Sequence, residues 1–198
     1  MAGIRSHRED ADGTVRATVL GALQRAGDLQ PDDLRAGVAD PDGQVRRRAA
    51  ELVAELGGGG ASADVALLGL LDDPDPTVVE VAAWACGERV PAEPGTVDRL
   101  VELATEAEDA LVRESAVAAL GSLGDPVGLP AILAATTDKA TVRRRAVIAL
   151  APFEGPEVDA AYERALTDRD WQVRQSAEDL VGPVDADPSE GGPADASH

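Results

Sequence analysis

The chain has 198 residues and a formal net charge of −19, from 37 acidic and 18 basic residues. This length fits one domain or one short repeat array, and so acidic a surface repels nucleic acid and anionic lipid. The longest apolar stretch, around Val65–Leu71, is far shorter than the roughly 18 residues of a transmembrane helix. The single cysteine, Cys86, excludes an internal disulfide and a cysteine-based zinc site.

In chain order, the sequence divides into three segments. Residues 1–12 are predicted to form a lead-in or partial capping segment, and residues 13–181 the folded repeat array. Residues 182–198 contain four acidic residues and no Lys or Arg, a composition that buries too little apolar surface to offset chain entropy, so we predict a disordered acidic tail. Met1–Asp12 has no apolar run of the kind that a secretory signal needs, which favours a cytoplasmic protein.

A short phrase that begins with valine and usually continues with arginine recurs six times. The valines are Val15, Val45, Val78, Val112, Val142 and Val173, at intervals of 30, 33, 34, 30 and 31 residues. An alanine-rich helix is predicted after each valine, and a second helix lies between copies. These intervening helices are predicted at Leu29–Ala39, Ser62–Leu71, Thr96–Ala107, Leu129–Thr136 and Glu157–Leu166. One helix pair cannot bury its apolar face alone, so the pairs are expected to stack.

Residues 40–52 read Asp-Pro-Asp-Gly-Gln-Val-Arg-Arg-Arg-Ala-Ala-Glu-Leu. This phrase resembles the HEAT repeat in its short form, the phycobilisome-lyase HEAT-like repeat, and the resemblance covers residues 10–181. It implies an all-α, right-handed α-solenoid of about five to six HEAT-like helix pairs. Because one fold serves many activities, the resemblance indicates architecture and says little about function.

HEAT repeats of this type have an Asp six residues before the Arg of the Val-Arg pair, and the resemblance implies that these residues form a structural ladder between neighbouring repeats. The third copy has Val79 in place of the Arg, whereas the fourth and fifth have Ala107 and Thr137 in place of the Asp. The predicted ladder residues are Asp10, Arg16, Asp40, Arg46, Arg113, Arg143, Asp168 and Arg174.

In the helix that follows Val45, the residues Val45, Ala49, Leu52 and Leu56 cluster on one side and are predicted to form its core stripe. On each second helix, the residues two and six positions after the valine lie opposite this stripe, on the face that is concave in HEAT proteins. Trp84 and Ile148 are large apolar residues at such positions, and arginines accompany them in repeat order, a composition typical of protein-binding hot spots. The predicted partner-binding residues are Arg47, Arg48, Trp84, Ala118, Arg144, Arg145 and Ile148. Alternatively, Trp84 packs under the preceding loop or fills the gap left by the missing arginine at Val79. Trp171, near a helix start, is predicted to lie in the core or in a hydrophobic staple.

No catalytic, metal or cofactor site is predicted. HEAT-like deoxyhypusine hydroxylases bind iron through His-Glu pairs, and neither His7 nor His198 is followed by Glu. Cys86 is expected to be a small buried thiol. We therefore predict a non-catalytic adaptor, monomeric, that binds another protein on its concave face. Two alternatives stay open, an enzyme or enzyme subunit of the HEAT-like lyase class and a nucleic-acid-binding protein that uses the triplets Arg46–Arg48 and Arg143–Arg145.

The composition also bears on the solvent. Many acidic residues, a single lysine (Lys139) and small apolar residues resemble the protein style of salt-in halophiles, chiefly haloarchaea. In molar salt the Debye length falls to about 3 Å, so the net charge would serve solubility more than partner steering.

Overall fold

The structure, a computed structural model, describes residues 2–57, 59–62 and 64–182. Every regular element in these residues is helical, and the predicted tail lies outside them except for Gly182. The α-helices are α1 (Ala2–Arg5), α2 (Gly13–Arg25), α3 (Pro31–Val38), α4 (Gly43–Glu55), α5 (Pro76–Gly87), α6 (Thr96–Glu106), α7 (Ala110–Leu123), α8 (Leu129–Ala135), α9 (Ala140–Ala149), α10 (Pro156–Leu166) and α11 (Trp171–Val181). Short 3-10 segments lie at Gly60–Ser62, Leu68–Asp72 and Pro126–Gly128.

The second helix of most units begins at a capping aspartate. Five aspartates each accept the backbone N–H two residues ahead at 2.8 or 2.9 Å: Asp12, Asp42, Asp75, Asp109 and Asp170. Such a cap is worth about 1 kcal/mol. Before α9 the equivalent residue is Lys139, which makes no side-chain cap. The caps fix where these helices start, at the turn that connects them to the first helix.

The apolar stripes of the helix pairs form one continuous core. Val45, Ala49 and Leu52 of α4 are buried, which confirms the stripe predicted for the second helices. Neighbouring second helices contact each other along the series α2, α4, α5, α7, α9 and α11, and the first helices form a second, more loosely joined layer. The all-α solenoid is therefore as predicted, and we call its tighter layer of second helices, on the side predicted to be concave, the inner layer.

Two glycines allow the closest approach between second helices. A Cβ on Gly87 of α5 would lie 2.8 Å from the Cα of Ala119 on α7, and one on Gly121 of α7 would lie 2.6 Å from the Cα of Ala149 on α9. Backbone atoms this close leave no space for a methyl group. These contacts join the C-terminal ends of the second helices and hold the inner layer together.

The helix predicted at Ser62–Leu71 is wrong in the described residues. This stretch overlaps the 3-10 segments at Gly60–Ser62 and Leu68–Asp72, and residues 64–67 between them belong to no helix. Glycine costs about 1 kcal/mol per residue in a helix, and the chain has a glycine run before this stretch and Gly69 within it. Burial of Val65, Leu67 and Leu71 nevertheless fills the place of a first helix.

The lead-in segment is attached to the first unit by two arginines. Arg5 contacts Asp28 at 2.9 Å and Asp33 at 3.2 Å, and Arg8 contacts Asp33 at 2.7 Å. The side chain of Asp33 has no exposed surface. Burial alone would raise the pKa of its carboxyl, but hydrogen bonds from Arg8 and from the Gln30 N–H bring the pKa below its usual range. The chain before α2 thus supplies the cations that this buried carboxylate needs.

Candidate partner-binding surface and the arginine ladder

The predicted apolar residues of the inner face are exposed. Trp84 on α5 and Ile148 on α9 have 41% and 37% of their surface accessible. Trp84 lines an open groove of about 420 Å³ between α5 and α7, together with Glu114 and Ala118 of α7. Trp84 is not among the residues that line the space beside Val79, so it does not fill the gap left by the missing arginine. Trp171 was expected in the core or a staple, and this is wrong, since it is 64% exposed at the start of α11.

Most of the predicted surface arginines are already paired with glutamates. On α4, Glu51 lies 3.4 Å from Arg47 and 2.9 Å from Arg48. On α9, Arg145 lies 3.6 Å from Glu114 of α7. Arg144 is exposed and makes no ion pair with the described residues. Ion pairs that stay partly exposed to solvent, as these do, contribute little free energy, so the arginines stay available to a partner.

The charges along this face follow the order of the residues two positions after each valine, with Arg47, Glu80, Glu114 and Arg144 on successive second helices. Arg47 and Arg48 line a separate groove at the N-terminal end of the array. In the centre, the groove of Trp84 is bordered by Glu80, Glu88 and Glu114, and among the predicted arginines only Arg145 borders it. The face therefore has arginines towards its two ends and a tryptophan among carboxylates in the middle.

The ladder joins each arginine to the unit that follows it. Arg46 donates to Asp73 through Nε at 2.6 Å and Nη2 at 2.8 Å, and its Nη1 donates to the carbonyl of Asp40 at 2.8 Å. The same two-sided contact recurs in all four rungs, defined here as the pairs Arg16–Asp40, Arg46–Asp73, Arg113–Asp138 and Arg143–Asp168. Bidentate hydrogen bonds between an arginine and a carboxylate are among the strong hydrogen bonds of proteins.

The structure corrects three details of the ladder. The fifth copy does not lack its acid, because Asp138, one residue later than the expected Thr137, accepts from Arg113. Asp10 joins no arginine through its carboxylate in the described residues; its carbonyl accepts from Arg16 at 2.7 Å. Arg174 donates to the carbonyl of Asp168 at 2.7 Å.

The rungs change the acidity of their members. In Asp40, Asp73, Asp138 and Asp168 the pKa lies below the usual range, chiefly because the arginine of the preceding unit donates hydrogen bonds to the carboxylate. The arginine pKa values rise for the same reason. These aspartates are therefore ionised, and the structural ion pairs explain their lowered pKa values without a catalytic role.

The thiol has the properties of a packed side chain. Cys86 is buried on α5, and burial raises its pKa to about 12, which leaves little thiolate at neutral pH. The expectation of a small buried thiol is confirmed. In the described part of the chain, no group of three or more His, Cys, Asp or Glu residues is placed to hold a metal ion. None of the helices described is both long and apolar enough to cross a bilayer.

Comparison with known proteins identifies the class. The sequence matches the family model of HEAT repeats over residues 31–121, 63–151 and 97–182. The chain therefore belongs to the HEAT repeat family.

Two solved structures illustrate the shared fold, each similar over 89% of this chain. One is an engineered protein with 21% identity, 92% of that chain covered and a TM-score of 0.66. Another is a designed armadillo repeat protein in complex with the peptide (KR)4, with 17% identity, 95% of that chain covered and a TM-score of 0.65. No curated protein matches the sequence. At these identities the likeness shows a repeat-solenoid fold.

Proposed function

We propose that the chain is a non-catalytic scaffold that binds another protein along the face formed by its second helices. The observation that carries this proposal is Trp84, a large aromatic side chain exposed in a groove beside Ala118 on an otherwise acidic surface. Exposed aromatic anchors in a groove are typical of binding hot spots. Ile148 offers a second apolar anchor, two second helices further along the array.

The charges of the face favour a protein partner over nucleic acid. Glu80, Glu88 and Glu114 border the central groove, where a phosphate backbone would be repelled. Arg47, with Arg48 beside it, and Arg144, with Arg145 beside it, would contact a partner that extends over the ends of the face. The proposal includes a monomeric, cytoplasmic protein, and a salt-rich cytoplasm of the kind found in halophiles is consistent with the single lysine.

The test uses ligands selected on the protein itself. Peptides are selected by panning a random display library against the full chain, at a salt concentration where circular dichroism shows native helix. We expect their affinity to fall at least about tenfold on the double variant Trp84→Ala, Ile148→Asp, because loss of a hot-spot anchor costs about 2 kcal/mol or more. Fluorescence anisotropy with labelled peptides measures the change.

The matched control is Trp171→Ala, which removes an exposed tryptophan outside the proposed row. This variant is expected to bind the selected peptides like the wild type. Selected peptides that bind the folded double variant as tightly as the wild type would contradict the proposal, and so would an equal loss on Trp171→Ala.

A further inference from the structure

One interface between second helices lacks its rung. Between α5 and α7, Val79 stands where the ladder has an arginine and Ala107 where it has an aspartate. An open cavity of about 620 Å³ lies at this place, and its walls include Asp73, Val79, Ala107, Glu108 and Asp109. We call this cavity the vacant rung.

The four complete rungs show what such a place accommodates. In each of them a guanidinium group lies across the joint, and its Nη1 donates to backbone carbonyls five or six residues earlier. For Arg46 these acceptors are the carbonyls of Asp40 and Pro41, at 2.8 and 3.0 Å. At the vacant rung, the carbonyls in the same repeat positions belong to Asp73 and Pro74. No hydrogen bond to either is found in the described part of the chain.

The charges around the vacant rung are not balanced. The carboxylate of Asp73 is taken by Arg46, and Asp72 lies 2.9 Å from Arg99. Glu108 and Asp109, which also line the cavity, form no ion pair with the residues described. Both carboxylates can therefore face a cation from outside, and Asp109 in addition caps α7 and acts through its charge on Arg113.

Asp109 has a counterpart in a complete rung. The pKa of Arg46 is raised first by its hydrogen bond to Asp73 and also by the charge of Asp75, the cap of the following helix. Asp109 is the cap of the helix that follows the vacant rung. It stands where Asp75 stands in the complete rung, so one of the two carboxylates that act on Arg46 has a counterpart here, whereas the place of the other, Asp73, is taken by Ala107.

We propose that the vacant rung is a socket for the arginine side chain of a partner protein. A guanidinium has five N–H donors in one plane, so it can serve two carbonyls and a carboxylate at once, whereas a lysine ammonium acts as a point charge. The vacant rung lies at the N-terminal end of α5, and Trp84 lies about two turns further along the same helix. The proposal therefore stands apart from the one for the concave face.

The probe is N-acetyl-arginine methylamide, a single arginine side chain on a peptide-like backbone. Amide resonances of the full ¹⁵N-labelled chain are followed by NMR during titration, at the lowest salt that keeps native helix. We expect saturable shifts at residues 73–80 and 107–113 with a dissociation constant on the order of millimolar. The matched control is N-acetyl-citrulline methylamide, which has nearly the same shape without the charge and is expected to shift these amides at least about tenfold less.

Variants separate the socket from general attraction to an acidic surface. The variant Val79→Arg, Ala107→Asp rebuilds the rung within the chain and is expected to abolish the saturable shifts. The double variant could fail to fold, so a second variant, Glu108→Gln, changes only an exposed side chain. It is expected to keep the fold and to weaken probe binding several-fold. Trp84→Ala is expected to leave it unchanged, so failure here is distinguishable from failure of the concave-face proposal.

Three outcomes would overturn the socket. They are a wild-type titration without saturation at residues 73–80 and 107–113, equal shifts with the citrulline probe, and unchanged probe binding in folded Glu108→Gln. A gain of binding on Arg113→Gly, which removes the arginine of the next rung and leaves its aspartate, Asp138, would support it, because this second vacancy would then accept the same probe.

Discussion

The interfaces on the two sides of α5 join helices of the same repeat position by different forces. Towards α4, Arg46 donates two hydrogen bonds to the carboxylate of Asp73, at 2.6 and 2.8 Å. Towards α7, the rung is missing, and the helices meet through apolar contacts, with Gly87 directly against Ala119. Replacing a buried ion pair by apolar packing is often neutral for stability. The comparison teaches that stacking does not need an ion pair at every joint.

The largest expected effect breaks the apolar interface. Gly87→Ala would place a Cβ 2.8 Å from the Cα of Ala119, so α5 and α7 would have to separate. We expect a loss of about 2–3 kcal/mol in the free energy of unfolding, measured by urea titration with circular dichroism.

The control for this change is Gly69→Ala, where an added Cβ meets no atom within 4 Å. It is expected to stay within about 0.5 kcal/mol of the wild type. A similar loss for Gly69→Ala, or none for Gly87→Ala, would show that close packing does not carry the α5/α7 interface.

A slightly smaller loss in the free energy of unfolding is expected when the complete rung between Arg46 and Asp73 is broken. Arg46→Met keeps most of the side-chain length but leaves Asp73, largely buried, without its cation. We expect a loss of about 2 kcal/mol, since hydrogen bonds to charged groups contribute about 1.5–3 kcal/mol. Chemical unfolding of Arg46→Met and of Arg47→Met gives the comparison, because Arg47 is the exposed neighbour on the same helix. Equal losses would mean that the rung adds nothing beyond side-chain burial.

The smallest expected effect is a pH dependence of the stability difference between the wild type and Arg46→Met. An unfolded aspartate has a pKa of about 3.9, and the rung holds the pKa of folded Asp73 lower. On acidification the unfolded chain therefore takes up the proton first, so the contribution of the rung is present above about pH 4 and is lost as the pH falls through the folded pKa. Unfolding titrations at pH 7 and at successively lower pH should show the free energies of unfolding of the wild type and Arg46→Met converge. A constant difference would contradict this origin.

The sequence predicted the second helices well, because Val45, Ala49 and Leu52 mark a buried stripe that recurs at a nearly constant interval. It failed at Ser62–Leu71, because three-four apolar spacing is also compatible with buried 3-10 turns, and burial of Val65 and Leu67 does not depend on a helix. Periodicity reports which side chains are buried more reliably than it reports the backbone that carries them.

The site was partly visible from the sequence. Helical geometry placed Trp84 and Ile148 outside the core, and both are exposed. The carboxylates beside Trp84 come from α7 as well as from its own helix. Glu114, two residues after Val112, lies on the predicted face, but that it borders the groove of Trp84 depends on how α5 and α7 pack together. Asp138 was missed because a fixed six-residue spacing was required, whereas an arginine side chain is long and flexible enough to accept a shift of one residue.

The capping aspartates have a consequence for rebuilding the array. At the first two joints, the cap of the following unit lies against the glycine that begins the preceding second helix: a Cβ on Gly13 would lie 2.0 Å from Oδ2 of Asp42, and one on Gly43 would lie 2.9 Å from Oδ2 of Asp75. A unit duplicated or moved along the chain would therefore carry its cap into whatever residue begins the helix before it. A unit that replaces either of the first two would need glycine at its helix start, as at Gly13 and Gly43, whereas the helices before the caps Asp109 and Asp170 begin at Pro76 and Ala140.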